Sequence, residues 1–253
     1  MSLLLKIVIC FGAFWGTTGT ALAHFGMLIP SENRITQKRK SVDLTLSFSH
    51  PFDRIGMVLE KPAAFYAVLD GRKTDLLSTL TETAIMGKKG WRTTYQVRRP
   101  GVYHFIMEPF PYWEQAEDLF IIQYTKTIIG AYGSDTGWEA EIGLPVEIVP
   151  LLRPFGNYAG NSFVGRVVKD GQPLPGIPVE VEFYNRQGLR KAPSDYHVTQ
   201  VIRTDDNGVF SFSCPWTGWW GFSALIEADY RLKNKDGEGK MVELGGVLWV
   251  YMD

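Results

Sequence analysis

The stretch Ser41–His50, SVDLTLSFSH, puts Val42, Leu44, Leu46 and Phe48 on one parity and Asp43, Thr45, Ser47 and Ser49 on the other. Alternation with period two is the mark of a strand with one face in a core and one in water. His50 closes the run on the apolar parity, and Pro51 after it restricts the backbone and so aims the ring. The same texture recurs along the chain. AAFYAVLDG (63–71) reads as a strand entering a turn at Asp70-Gly71, and GWRTTYQVRRPGVYHFIMEP (90–109) as two strands joined at Arg99-Pro100-Gly101. DLFIIQYTKTIIGAYG (118–133) is rich in β-branched and aromatic residues and predicts another long strand. Helical periodicity is scarce; Leu76–Met86 is the one place that admits a helical turn or two.

From about Leu144 to Asn157 the texture changes: prolines, glycines and asparagines interrupt short apolar pieces, as at a domain junction. Beyond it, FVGRVVKDGQPLPGIPVEVEFYN (163–185) and VTQVIRTDDNGVFSFSCPWTGWWGFSALIEADY (198–230) give strands separated by turns at Lys169-Asp170-Gly171 and Asp206-Asn207-Gly208. That is the order of a small antiparallel sandwich. Trp216, Trp219 and Trp220 fit its core and edge. The predicted fold is therefore all-β, two β-sandwich domains in tandem: residues 24–150 and residues 151–253.

Residues 1–23 read as a cleaved signal peptide. Lys6 supplies the charge, Ile7 to Trp15 an apolar core shorter than a membrane span, and Ala21-Leu22-Ala23 a cleavage site. An exported, periplasmic product beginning at His24 is expected. It keeps a single cysteine, Cys214, which rules out an internal disulfide and a thiolate metal cage. With 253 residues, 45% of them hydrophobic, and a formal net charge of -1, the chain has the composition of globular domains and no basic surface for nucleic acid. No nucleophile-elbow, zinc-protease or phosphate-loop pattern occurs, so an enzyme is not expected.

The chemistry that remains is metal binding. An amino-terminal His24 offers an amine and an imidazole that close one chelate ring on a divalent metal, and His50 and His104 are the further candidate ligands. Glu108 shares the face of His104 two pleats on, and Glu114, Glu117 and Asp118 form an acidic run; either could supply an oxygen ligand or orient a ring. His197 reads as a surface residue. Nitrogen ligands suit nickel, cobalt, copper and zinc alike. Two other readings stay open: a copper site built on an amino-terminal histidine, as in oxidative polysaccharide-cleaving enzymes, and a plain interaction or carbohydrate-binding module.

The motifs HFGMLIPS (24–31), SFSHPFD (47–53), MVLEKP (57–62) and PYWEQAEDLFIIQYTK (111–126) resemble the exported proteins described as periplasmic components of cobalt or nickel uptake systems. The segment after residue 160 resembles transthyretin-like or carboxypeptidase-regulatory-like sandwiches. The first resemblance implies a periplasmic binding protein for nickel or cobalt that supplies an inner-membrane permease. The chain closes on GGVLWVYMD, which reads as a strand, so the permease is expected to be a separate protein.

Overall fold

The computed structural model describes residues 23–253, and within them the chain is built of strands. The expected signal peptide falls on residues 1–22, outside the described residues, apart from Ala23. The first half carries β1 (Phe25–Pro30), β2 (Ser41–His50), β3 (Ala64–Leu69), β4 (Thr81–Ile85), β5 (Lys88–Gln96), β6 (Gly101–Glu108) and β7 (Leu119–Ala131). The second carries β8 (Val146–Pro150), β9 (Ser162–Lys169), β10 (Pro178–Phe183), β11 (Gln200–Arg203), β12 (Val209–Ser213), β13 (Gly218–Glu227) and β14 (Gly239–Met252).

Three sheets result. One has the order β1-β2-β5-β4, a second centres on β8-β9 with β12 alongside β9, and the large sheet runs β11-β10-β13-β14-β7-β6-β3. The first sheet packs on the β7-β6-β3 end of the large one around Leu44, Leu46, Phe65, Phe105 and Ile129. The second packs on its β10-β13-β14 end around Ile148, Phe163, Val181, Phe222 and Leu248. The sandwiches expected on either side of residue 150 therefore share one sheet. The join is parallel, with Leu119 opposite Met241 and Thr127 opposite Trp249. A parallel pair needs a long crossover, and here the whole second half supplies it.

β1 seals the seam. Phe25, Met27 and Ile29 pack with Trp219, Val247 and Trp249, while Leu28 faces the first core. A strand buried on both faces reads as an apolar run, which is how FGMLIP reads. Its close approach to the large sheet requires Gly26, where a Cβ would collide with Thr125 Oγ1. Trp249 Nε1 donates to the Gly26 carbonyl at 2.8 Å and Thr127 Oγ1 to that of Leu28 at 2.5 Å.

Two local expectations change. Ser47 and Ser49, placed on the watery face of β2, are buried. Their hydroxyls pair with each other at 3.3 Å, which lets the strand end be covered on both sides. Leu76–Met86 forms only the 3-10 turn Leu77–Thr79 before β4 begins, as its β-branched residues favour. Trp219 and Trp220 are buried as expected, one in the seam and one in the second core.

Candidate functional site

His24 and His50 meet at the seam. β2 delivers His50 at its end and the chain enters β1 just after His24, with the two strands antiparallel and Phe25 opposite Ser49. The ring centroids lie 4.8 Å apart. Phe48 stacks on the His24 ring at 5.6 Å and Tyr112 closes a third side at 6.3 Å.

Each imidazole is held through one nitrogen. His24 Nε2 lies 3.0 Å from Glu114 Oε2, so the carboxylate accepts the Nε2 hydrogen and leaves Nδ1 with its lone pair. Nδ1 is the nitrogen that closes a six-membered chelate with the amine of the same residue. His50 Nδ1 lies 2.7 Å from the carbonyl oxygen of Ala23. That oxygen and the His24 nitrogen sit on the same carbon, about 2.3 Å apart by standard peptide dimensions. Breaking the Ala23–His24 bond would leave an amine next to the His50 ring.

The backbone around His24 is fixed by Gln123, whose buried amide accepts from Gly26 N at 2.5 Å and donates to the His24 carbonyl at 2.6 Å. The second half fixes the turn after His50. Phe52 N donates to Glu182 Oε2 at 3.2 Å, Asn185 Nδ2 donates to the Phe52 carbonyl at 3.2 Å, and the Phe52 ring lies in the second core. Burial holds the His24 imidazole below its ordinary pKa and the His50 charge adds to this, against the opposing pull of Glu114. A neutral ring is the form that binds metal.

His104 lies elsewhere. It sits on β6 opposite Ile128 and Val68, in a cavity lined among others by Tyr66, Lys73, Glu108, Gly137 and Glu141. Its Nε2 donates to the Gly137 carbonyl at 2.9 Å, and its buried Nδ1 has no partner among the described residues. Burial and then the Lys126 ammonium push its pKa down to about 4. A neighbouring buried cation opposes a metal ion there. Glu108 does share its cavity, as the face pairing predicted. His197 is exposed, with Nδ1 at 2.9 Å from Ser194 Oγ.

Among the described residues, no three His, Cys, Asp or Glu side chains converge to hold a metal by themselves. What converges is two imidazoles, a carboxylate behind one of them, and the peptide bond at which cleavage is expected. In the sequence Glu114 is only one member of an acidic run. Gln123 lies inside the motif 111–126 and Glu182 on the polar parity of its strand, but no sequence signal shows that both are buried and hold the backbone beside the histidines.

Carboxylates extend from this site into the seam. Burial raises Glu117, which also feels Glu114; burial and the charges of Glu243 and Glu117 bring Glu180 to about 7, and burial with Glu117 brings Glu243 to about 7. Glu182 is lifted to about 8 chiefly by burial. The folded protein thus keeps protons that the unfolded chain releases near its ordinary glutamate value of 4.5. The stabilisation is complete below that value, declines as pH rises above it, and is gone once pH has passed the folded values of about 7 to 8. His104 acts oppositely, costing stability as pH falls from 6.5 towards 4. Urea midpoints should fall as pH rises from about 4.5 towards 7 to 8 and level off above, and Glu180→Gln with Glu243→Gln should flatten the part of that fall below about 7; an unchanged slope would place these carboxylates in water.

A family model described as "Domain of unknown function (DUF4198)" matches residues 21–228. No curated protein matches the chain. Among solved structures, the D0-D1 domain of Intimin is similar at 10% identity, over 88% of this chain and 99% of that one, with a TM-score of 0.25. Dimeric latent PorU from Porphyromonas gingivalis shares 9% identity over 90% of this chain and 20% of its own, with a TM-score of 0.24. Native E. coli alpha-2-macroglobulin shares 10% over 90% of this chain and 14% of its own, with a TM-score of 0.25.

Proposed function

The chain belongs to the DUF4198 family, and we propose that it is a periplasmic binding protein for a divalent transition metal, nickel or cobalt, which it hands to a membrane uptake system. Cleavage between Ala23 and His24 creates the site. The new amine and His24 Nδ1 chelate the ion, His50 Nδ1 adds a third nitrogen, and Glu114 holds the His24 ring from behind. A carboxylate on the outer nitrogen fixes the tautomer and strengthens the inner one as a ligand. His104 takes no part.

The observation that carries this reading is the 2.7 Å contact of His50 Nδ1 with the Ala23 carbonyl, which puts the second imidazole beside the nitrogen that cleavage would free. The metal follows from the resemblance of HFGMLIPS, SFSHPFD and PYWEQAEDLFIIQYTK to nickel and cobalt uptake components. Three nitrogens also suit copper, which outcompetes both ions at most such sites. The metal is therefore cargo selected by supply and by the receiving permease, and no reaction is assigned to the protein.

Exported protein should have an intact mass beginning at His24 and bind one equivalent of nickel or cobalt in a calorimetric titration. A product starting elsewhere, or one that takes up neither ion, would contradict the reading.

A further inference from the structure

A narrow apolar groove, with a cavity volume of about 60 Å³, opens beside the histidine pair. Phe48, Val58, Leu59, Met107, Phe110 and Tyr112 are among the residues that line it. Phe48 and Tyr112, whose rings are 4.8 Å apart, are also the residues that flank the His24 ring. Groove and metal site share a wall. Leu59 and Met107 form the buried floor, whereas Val58 and Phe110 stand at the mouth 44% and 59% exposed. Pro109 and Pro111 stiffen the backbone on either side of Phe110.

Two further facts bear on the occupant. Three protein nitrogens leave coordination positions of nickel or cobalt free for an outside ligand. A hydrated ion also gains nothing from an apolar wall, because its shell needs hydrogen-bond partners, whereas an apolar arm attached to a chelating ligand gains by leaving water. We infer that the ion arrives as a complex with a small amino-carboxylate chelator that carries an apolar or aromatic side chain, and that this side chain lies in the groove. The chelator's amine and carboxylate fill the free positions while its side chain packs between Tyr112, Val58 and Met107. The inference rests on the metal site proposed above and names the form in which that site receives its cargo.

Nickel–phenylalanine and nickel–glycine complexes share one donor set and differ only in the side chain. Calorimetry on the mature protein should give at least about tenfold tighter binding of the phenylalanine complex, the scale of burying part of one aromatic ring. Val58→Trp, at an exposed position in the mouth, should erase that preference and leave binding of nickel alone unchanged. Equal affinity for the two complexes, with nickel alone still bound, overturns this inference and spares the metal site. No binding of nickel in any form overturns both. If the complexes bind equally and the protein instead self-associates with rising concentration in a way that Val58→Trp abolishes, the groove belongs to a second copy and the inference fails.

Discussion

Replacing His50 by alanine is expected to weaken nickel binding by roughly a hundredfold or more, while His104→Ala leaves it unchanged. Groups that merely orient a ligand already account for about 10- to 100-fold in affinity, so loss of one nitrogen in three must reach at least the upper end. The contrast between the two histidines is the informative part. Both are buried, and both carry a nitrogen bonded to a backbone carbonyl. Only His50 lies beside the other imidazole, and only His104 lies beside a buried ammonium. Glu114→Gln should fall between them, with a loss of about tenfold, because the amide can still accept the His24 hydrogen but no longer strengthens the ring as a ligand. Titration calorimetry with circular dichroism as a check on folding tests all three. Equal losses at His50 and His104 would mean that the site is not at the seam.

The second large effect concerns stability. Lys126 on β7 and Glu147 on β8 form an ion pair buried in the protein interior. Glu147 also accepts from the backbone N–H groups of Ile142 and Gly143, each at 3.0 Å, so it ties residues 142–144 to the large sheet. Lys126→Met would strand a buried carboxylate, at a cost of about 3–5 kcal/mol. Adding Glu147→Gln removes that charge and keeps a carbonyl oxygen for the two amides. The double variant should therefore be more stable than Lys126→Met alone, a coupling that a urea-denaturation cycle reads directly. Strict additivity would show that the two groups do not interact. The consequence reaches the proposed metal site, because β7 also carries Gln123, which holds the backbone on both sides of Phe25.

The strands with one face in water were legible because alternation is local, and SVDLTLSFSH spells out β2 to the residue. The strand FGMLIP was not, because a short apolar run buried on both faces carries no alternation. The shared sheet was not legible: the β7–β14 pairing joins residues 119 and 241, and nothing in either segment names its partner. The same limit explains the histidines. His24 and His50 sit at the ends of two strands that run antiparallel, yet only the register of Phe25 opposite Ser49 puts them side by side. His104 looked equivalent in sequence, and what separates it is Lys126, distant in the chain, which folding brings beside it. Glu114 was visible as one of three acids, but its selection depends on the short pairing of Tyr112–Glu114 with β7, which turns that carboxylate towards His24.

The most direct test of the central claim compares two chains that differ by one residue, the first beginning at His24 and the second retaining Ala23. In the second chain the His24 nitrogen is a peptide nitrogen, with the Ala23 carbonyl on His50 Nδ1. Nickel titration of both should show tight one-to-one binding by the first and a loss of at least about a hundredfold in the second, since the chelate has lost its amine. Equal binding by the two chains would contradict the account, because it would mean that cleavage does not make the site.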